Sequence, residues 1–320
     1  MQAVVYRRYG SPDVLKLEEV PRPIPGDDEV LVRVRAASLN ALDWHLVRGE
    51  PYLARIGALR KPEPSTPGVN VAGVVEAVGR NVTQLRPGDE VFGNKRRGCA
   101  EYVSGSPDLF LPKPANLTLE QAAAIPTAGV TALQALRDHG DLKPGQKVLI
   151  NGAVGGVGTF AVQIAKALGG EVTGVCSTQN VDLVRSLGAD HVIDYTKADF
   201  AKAGERYDLV VDVAANRSVR AMRRVLARKG TLVLIGASKG KWIAPLARFF
   251  GTQLLSRFVS QKLTWFMAEP RREDLLTLTE LVEAGKLTPF VDRTYPLSET
   301  ADAMRYIETM HARGKVVITV

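Results

Sequence analysis

The chain has 320 residues, 45% of them hydrophobic and 24% charged, with a net charge of +8 and two cysteines, Cys99 and Cys176. This length exceeds what one core usually serves, so two domains are expected in an ordinary globular protein, while two cysteines exclude a disulfide framework and a four-cysteine zinc site and point to a reducing compartment, the cytoplasm. The basic residues fall in short groups such as Lys95-Arg96-Arg97 and Arg271-Arg272 without interleaved aromatics, which excludes a nucleic-acid surface, and MQAVVYRRYG contains no signal-peptide core.

Residues 1 to about 120 read as β-rich: short Val/Leu runs (EVLVRVRAASL, GVVEAVG, DEVFG, CAEYVSG) alternate with proline and glycine clusters. In TPGVNVAGVVEAVG, Gly68, Gly73 and Gly79 mark places where backbones should approach closely. The pattern changes near residue 119. LEQAAAIPTAGVTALQALRDHG reads as helix, and strands and helices then alternate. KVLING, EVTGVCS, HVIDY, YDLVVDVA and TLVLIGA are strands; GTFAVQIAKALGG, NVDLVRSLG and SVRAMRRVLARKG are helices. Such alternation predicts a parallel sheet covered by helices. Gly230 is read as the glycine ending the third of these helices, whose basic residues complement the helix dipole. WIAPLARFFGTQLLSRFVSQ follows as a helix and KLTWFMA as an edge strand. Arg248, Arg257 and Lys262 interrupt this apolar stretch, so no membrane span is expected. EPRREDLLTLTELVEAGKL and PLSETADAMRYI are the last two helices, the second with Ser298 as N-cap.

INGAVGGVG follows a strand and opens a helix. Read from Ala153 through Gly155, Gly156, Val157 and Gly158, it matches G-x-G-x-x-G with alanine in first place. Gly155 would let backbone amides approach a pyrophosphate, and Gly158 would let helix and strand pack closely. The end of the next strand selects the cofactor. NAD-binding chains place a carboxylate there, whereas this chain has Ser177, Thr178, Gln179 and Asn180. Hydroxyls can hydrogen-bond a 2′-phosphate that a carboxylate would repel, which favours NADPH.

PGVNVAGVVEAVG, LRPGDEVFG, GCAEYV, the GGVG loop and the terminal ARGKVVI together resemble the medium-chain dehydrogenase/reductase superfamily over essentially the whole chain. SLGADHVIDY and GKLTPFVDRTYPL resemble its zinc-lacking quinone oxidoreductase branch. The resemblance implies an α/β protein with two parts. One is a GroES-like β-rich catalytic domain, residues 1–122 completed by 270–320; the other is a Rossmann doubly wound domain, residues 123–269. It also implies a homodimer, with the KLTWFMA edge strand pairing across the two-fold axis.

Zinc-containing relatives carry Cys in the region of Ser38, Leu39 and Asn40, and His-Glu where this chain has Val69-Asn70. No metal site is therefore expected; a set of Asp43, His45 and Cys99 matches no zinc spacing. The resemblance places Asn40 and Thr131 beside nicotinamide and substrate, and His45 where relatives often have tyrosine, so that it could donate a proton. Asp43 completes N-x-x-D as an orienting residue. Tyr195 corresponds to a tyrosine near the 2′-phosphate. Gly236, Ala237 and Ser238 fall where nicotinamide contacts are expected, and Lys315 is a further cofactor candidate. Cys99 lacks a partner base.

The function implied is NADPH-dependent, zinc-independent reduction of a small quinone or α,β-unsaturated carbonyl. The alternatives are an NADPH-binding protein that acts through a partner or membrane surface, and an alcohol dehydrogenase.

Overall fold

The computed structural model describes residues 1–50, 52–55, 62–63, 65–202, 204–235 and 244–320. They divide into two units: Met1–Ala128 with Pro270–Glu283 and Thr288–Val320, and Gly129–Glu269 with Ala284–Leu287.

The first unit begins with an antiparallel pair, β1 (Gln2–Val5) and β2 (Lys16–Glu19). Its central strand is β3 (Val30–Leu39), which exposes only Arg33 and Arg35. β3 pairs antiparallel with β4 (Asn70–Val78), β4 with β5 (Glu90–Gly93), and β5 with β7 (Phe110–Pro112); β6 (Tyr102–Gly105) also pairs with β3. A Cβ on Gly73 would lie 2.1 Å from Arg33 O, the close backbone approach expected of that glycine. The core is β-branched: Val30, Val32, Val34, Val71, Val75 and Val91 are all at most 1% exposed. Each such side chain contributes about 1.5–3 kcal/mol by leaving water. Helix α1 (Ala41–Arg48) follows β3 and ends at Gly49, whose φ of 62° is the left-handed cap. Helix α2 (Leu119–Ala124) is closed by a Thr118–Gln121 capping box, and α3 (Pro126–Gln134) carries the chain onward.

The second unit is a fully parallel six-stranded sheet. Its strands are β8 (Lys147–Asn151), β9 (Glu171–Cys176), β10 (His191–Asp194), β11 (Tyr207–Asp212), β12 (Leu226–Leu234) and β13 (Lys262–Trp265), in the order β10-β9-β8-β11-β12-β13. The chain runs outward from β8 to β10, then returns to the other side of β8. That reversal opens a crevice at the carboxyl ends of β8 and β11, where doubly wound sheets bind ligands. Helices α4 (Gly156–Ala167), α5 (Val181–Ser186), α6 (Val219–Arg224) and α7 (Ala244–Ser256) connect the strands.

One helix is shorter than expected. α6 stops at Arg224, and Leu226 to Gly230 already belong to β12. Leu226 is 3% exposed in the core and pairs with Tyr207, so burial against β11 overrides the helical pattern. Gly230 is consequently a strand residue whose Cβ would press on Tyr207 O at 2.9 Å, and not a helix cap.

The chain re-enters the first unit through α8 (Arg272–Glu283), β14 (Val291–Pro296), α9 (Thr300–Glu308) and β15 (Lys315–Thr319). β15 inserts between β14 and β3, giving the order β14-β15-β3-β4-β5-β7. Ser298 lies in a 3-10 turn ahead of α9 and does not cap it. No helix among the described residues is long and apolar enough to cross a membrane.

Candidate functional site

In the second unit, the loop after β8 matches the needs of a pyrophosphate. Gly152, with φ of 89°, makes the left-handed turn out of the strand. The sequence reading missed it by starting the motif at Ala153. Ala153 is fully buried, its Cβ beneath β9 beside Gly174, so it supports the loop from inside and presents nothing to a cofactor. A Cβ on Gly158 would lie 2.0 Å from Gly152 O, so only glycine allows α4 to pack this close. A Cβ on Gly155 would meet nothing nearer than Gly152 O at 3.6 Å: that side is open. Gly155 is the N-cap of α4 and contributes no side-chain acceptor, which leaves the first amides of the helix, at Gly156, Val157 and Gly158, to bind an anion.

The edge of β9 is the second part. Asn180, 6% exposed, donates from Nδ2 to Ser177 Oγ at 3.0 Å, and its Oδ1 is a buried acceptor without a partner among the described residues. Tyr195 is 48% exposed, and its amide donates to Cys176 O at 3.0 Å, which fixes it beside the turn that begins at Ser177. Thr178 is not the free donor the sequence suggested. Its hydroxyl donates to Asp194 Oδ2 at 2.6 Å, and Thr196 donates to Asp194 Oδ1 at 2.7 Å. These hydrogen bonds from Thr178 and Thr196 hold the Asp194 carboxyl down to about 2. The register of β10 against β9 sets Asp194 opposite Cys176, so a carboxylate absent from the β9 loop arrives from the neighbouring strand.

At the inner ends of β8 and β11, Asn151 Nδ2 donates to Asp212 Oδ1 at 2.7 Å and to Asn216 Oδ1 at 2.9 Å, which ties the two strands together where the sheet reverses. Thr131 lies on α3 and is 8% exposed. Gly236, Ala237 and Ser238 lie outside the described residues.

In the first unit, Asn40 closes β3 and opens α1. Its amide N–H donates to Asp43 Oδ2 at 2.7 Å, while Asp43 Oδ1 accepts from Gly68 N at 2.8 Å. Asp43 thus staples α1 to the entrance of β4, and burial pushes its carboxyl up. Lys315 is 3% exposed and donates to Leu39 O at 2.9 Å and to Asn40 Oδ1 at 2.5 Å. At this burial, with two of its three donors given to these oxygens, it is anchored beside Asn40. His45 Nδ1 lies 2.6 Å from Glu50 O, and the ring stacks on Trp44 with centroids 3.8 Å apart. A carbonyl only accepts, so Nδ1 holds the ring's proton. Burial lowers the His45 pKa, leaving a neutral ring whose one proton is already given to Glu50. His45 is therefore no proton donor at neutral pH.

The expected ligand positions carry a neutral hydrogen-bond network. Fully buried Asn70 donates from Nδ2 to Ser38 Oγ at 3.0 Å. Its Oδ1 accepts from Thr127 Oγ1 at 2.7 Å and from Asn94 Nδ2 at 3.4 Å. Val69 is 5% exposed. Amides and hydroxyls that satisfy one another do not supply the N, S or carboxylate set zinc requires. Among the described residues no three His, Cys, Asp or Glu converge. Cys99 is fully buried, and burial pushes its thiol up.

Residues 26–134 match the alcohol dehydrogenase GroES-like domain, and residues 187–318 match a family described as zinc-binding dehydrogenase. A chloroplastic quinone oxidoreductase of Triphysaria versicolor is 35% identical, over 99% of this chain and 98% of its own. The chloroplastic NADPH-dependent alkenal/one oxidoreductase of Arabidopsis thaliana is 37% identical, over 99% of this chain and 79% of its own. Among solved structures, the Escherichia coli quinone oxidoreductase complexed with NADPH superposes with a TM-score of 0.86 and 26% identity, covering 100% of both chains. With a GroES-like β-rich unit, a parallel nucleotide-binding sheet and relatives of this identity along its length, the chain belongs to the quinone oxidoreductase-like branch of the medium-chain dehydrogenase/reductase superfamily.

Proposed function

We propose that the chain is an NADPH-dependent oxidoreductase that reduces quinones or α,β-unsaturated carbonyls by hydride transfer, without zinc. The observation that carries this reading is the Asn70 network: the ligand positions hold neutral groups, while the pyrophosphate loop is complete. NADPH, when bound, supplies the hydride. The protein's part is to hold and orient. The amides opening α4 receive the pyrophosphate; Ser177, Asn180 and Tyr195 receive the phosphorylated ribose; Asn40, in the first unit, and Thr131, in the second, are the residues assigned to the reacting groups. In this reading residues 1–122 with 270–320 form the catalytic domain and 123–269 the nucleotide domain. Conjugated acceptors suit such a site, because their carbonyl is already polarised and solvent supplies the proton. The test is NADPH oxidation by purified protein with a panel of quinones, enals and enones. Turnover with simple alcohols and NADP⁺ alone would restore the dehydrogenase reading; NADPH binding without any turnover would restore the partner-binding one.

Two side chains give sharper tests. Asp194 places a negative charge beside the turn that would receive the 2′-phosphate. Asp194→Asn should tighten NADPH by roughly threefold to tenfold while leaving NADH within about twofold, since removal of one like charge near a surface is worth about 1 kcal/mol. Titration of both nucleotides by fluorescence measures it, and equal effects on the two would remove Asp194 from the phosphate end. His45→Phe keeps the stack on Trp44 and loses only the bond to Glu50. Its kcat should stay within about threefold of wild type, whereas loss of a general acid costs roughly 100-fold or more.

A homodimer is part of the same reading. β13 ends the parallel sheet, and Phe250, Leu254, Phe258 and Met267 around it are 58–83% exposed. An edge that no described residue pairs, with an apolar flank, favours pairing with a second copy. Light scattering should give twice the 34.6 kDa of one chain, and a monomer at micromolar concentration would remove this part. The cytoplasm remains our reading of location, carried by two free, buried cysteines.

A further inference from the structure

Asn40 offers two chemically opposite ends of nearly equal shape, an accepting oxygen and a donating NH₂. What lies beside it decides which end faces outward. The Lys315 ammonium donates to Asn40 Oδ1 at 2.5 Å and to Leu39 O at 2.9 Å. An ammonium has three donors and no acceptor, so the end of the amide against it has to be oxygen. The NH₂ group is left on the other side, where it donates to Ser38 O at 3.4 Å, close to the limit of a hydrogen bond, and also hydrogen-bonds the Asp43 carboxylate; with two N–H groups on its nitrogen it keeps a donor for a further acceptor. Lys315 is buried while Asn40 is half-buried, so of the two it is Asn40 that a small molecule can reach.

We propose that Lys315 is a positioning residue that fixes Asn40 as a hydrogen-bond donor to the carbonyl oxygen of the acceptor. The inference deepens the reductase reading above and rests on it. Asn40 transfers no proton in this role. As hydride adds to the conjugated carbon, negative charge gathers on the acceptor oxygen, the Asn40 N–H bond to it strengthens, and water completes the reduction.

The arrangement depends on pH. Burial, only partly offset by the attraction of Asp43, brings the Lys315 ammonium down to about 8. A neutral amine can accept as well as donate, so above that pH the amide is no longer held oxygen-first. Among the described residues Asp43 is the one charged group acting on Lys315. Arg33 and Arg35 of β3 are exposed, as are Asp302 and Arg305 of α9, which pair with each other. Asp292 of β14 accepts from Tyr306 and Arg313, Glu308 of α9 pairs with Arg48 of α1, and His45 of α1 is turned to Glu50. Glu120, on α2, is half-buried.

Stability runs the opposite way. Unfolded Lys315 holds its proton up to the ordinary lysine value of 10.5, and folded Lys315 releases it at about 8. Between those values the unfolded state binds more protons, so this group makes stability rise with pH. Activity should fall over the same interval, which a purely structural lysine would not produce.

The experiment measures kcat/KM for an enone acceptor, with NADPH saturating, from about pH 6 to about pH 10, beside denaturant stability over the same range. In the wild type, kcat/KM should fall about fivefold or more through a single ionisation near 8 while stability climbs. Lys315→Met should lower kcat about tenfold to 100-fold, flatten the profile and leave NADPH affinity within about threefold. In an Asn40→Ala background the same change should cost less than about twofold, because its route of action is already gone. A wild-type profile flat across 8 overturns the proposal, and so does an additive double variant. Absence of turnover at every pH would instead overturn the reductase reading itself. The wild-type profiles need no variant to fold, so poor folding of Lys315→Met leaves the test intact.

Discussion

Gly158→Ala should cost about 2–4 kcal/mol of stability and abolish measurable NADPH binding, whereas Gly155→Ala, three residues earlier, should fold normally and still lose the cofactor. At Gly158 the added Cβ would stand 2.0 Å from Gly152 O and 2.8–2.9 Å from Ala153 backbone atoms. No rotamer change can relieve a clash with backbone, so α4 must move off the sheet and take its free amides with it. At Gly155 φ is −70°, which alanine adopts without strain, and the nearest atom is 3.6 Å away. That variant should be as stable as wild type or more stable by about 0.4–1 kcal/mol, from the lower entropy of its unfolded chain. Its methyl group occupies the open side of the loop, from which a pyrophosphate would meet the α4 amides. NADPH affinity should fall about tenfold or more, roughly 1.4 kcal/mol or more of binding free energy. Thermal unfolding and fluorescence titration of the two variants separate fold from site. Wild-type stability in Gly158→Ala, or wild-type affinity in Gly155→Ala, would contradict the geometry.

Asn70→Ala should destabilise the first unit by about 2–4 kcal/mol, and Asn70→Leu should not rescue it. Asn70 is fully buried and is the one group that touches Ser38, Thr127 and Asn94 together. Without it, Ser38, Thr127 and Asn94 lose their common partner, although Asn94 still donates to Thr127 Oγ1 at 3.3 Å, and a buried polar group left unsatisfied costs about 1–3 kcal/mol unless water enters. Leucine restores volume but makes none of those bonds. Urea unfolding of both variants decides the matter: a stable Asn70→Leu would mean that space, and not hydrogen bonding, is what Asn70 provides.

Much of the nucleotide sheet was legible because its strands are short apolar runs separated by helical periodicity, and because Gly155 and Gly158 sit between a strand and a helix. Those signals are local. Features set by distant partners were hidden. Leu226 to Gly230 look helical until Tyr207 is brought alongside. Asp194 looks like an ordinary strand-end acid until β10 lies against β9 and its carboxylate accepts the hydrogen bond of the Thr178 hydroxyl. Lys315 looks like a solvated terminal lysine, and only the insertion of β15 beside β3 buries it. His45 was assigned by its place in a motif, but its chemistry is set by the backbone carbonyl of Glu50. Asn70, by contrast, was readable: an amide where relatives carry a ligand already announces a neutral site.

The position of β15 also sets an order of assembly. Its neighbour β3 is joined to it across a separation of 276 residues, between Leu39 and Lys315, and the second unit is encoded between them. On the ribosome, β8 to β13 emerge as one uninterrupted stretch and can build their sheet at once. β3, although made earlier and paired over Val30–Arg33 by β6, waits with the Ala36–Leu39 half of that hydrogen-bonding edge open until residues 315–319 appear. That edge is a template for wrong partners during the wait. The first unit, begun first, is therefore the last to be finished, and the side chain that orients Asn40 arrives only with the strand that closes it.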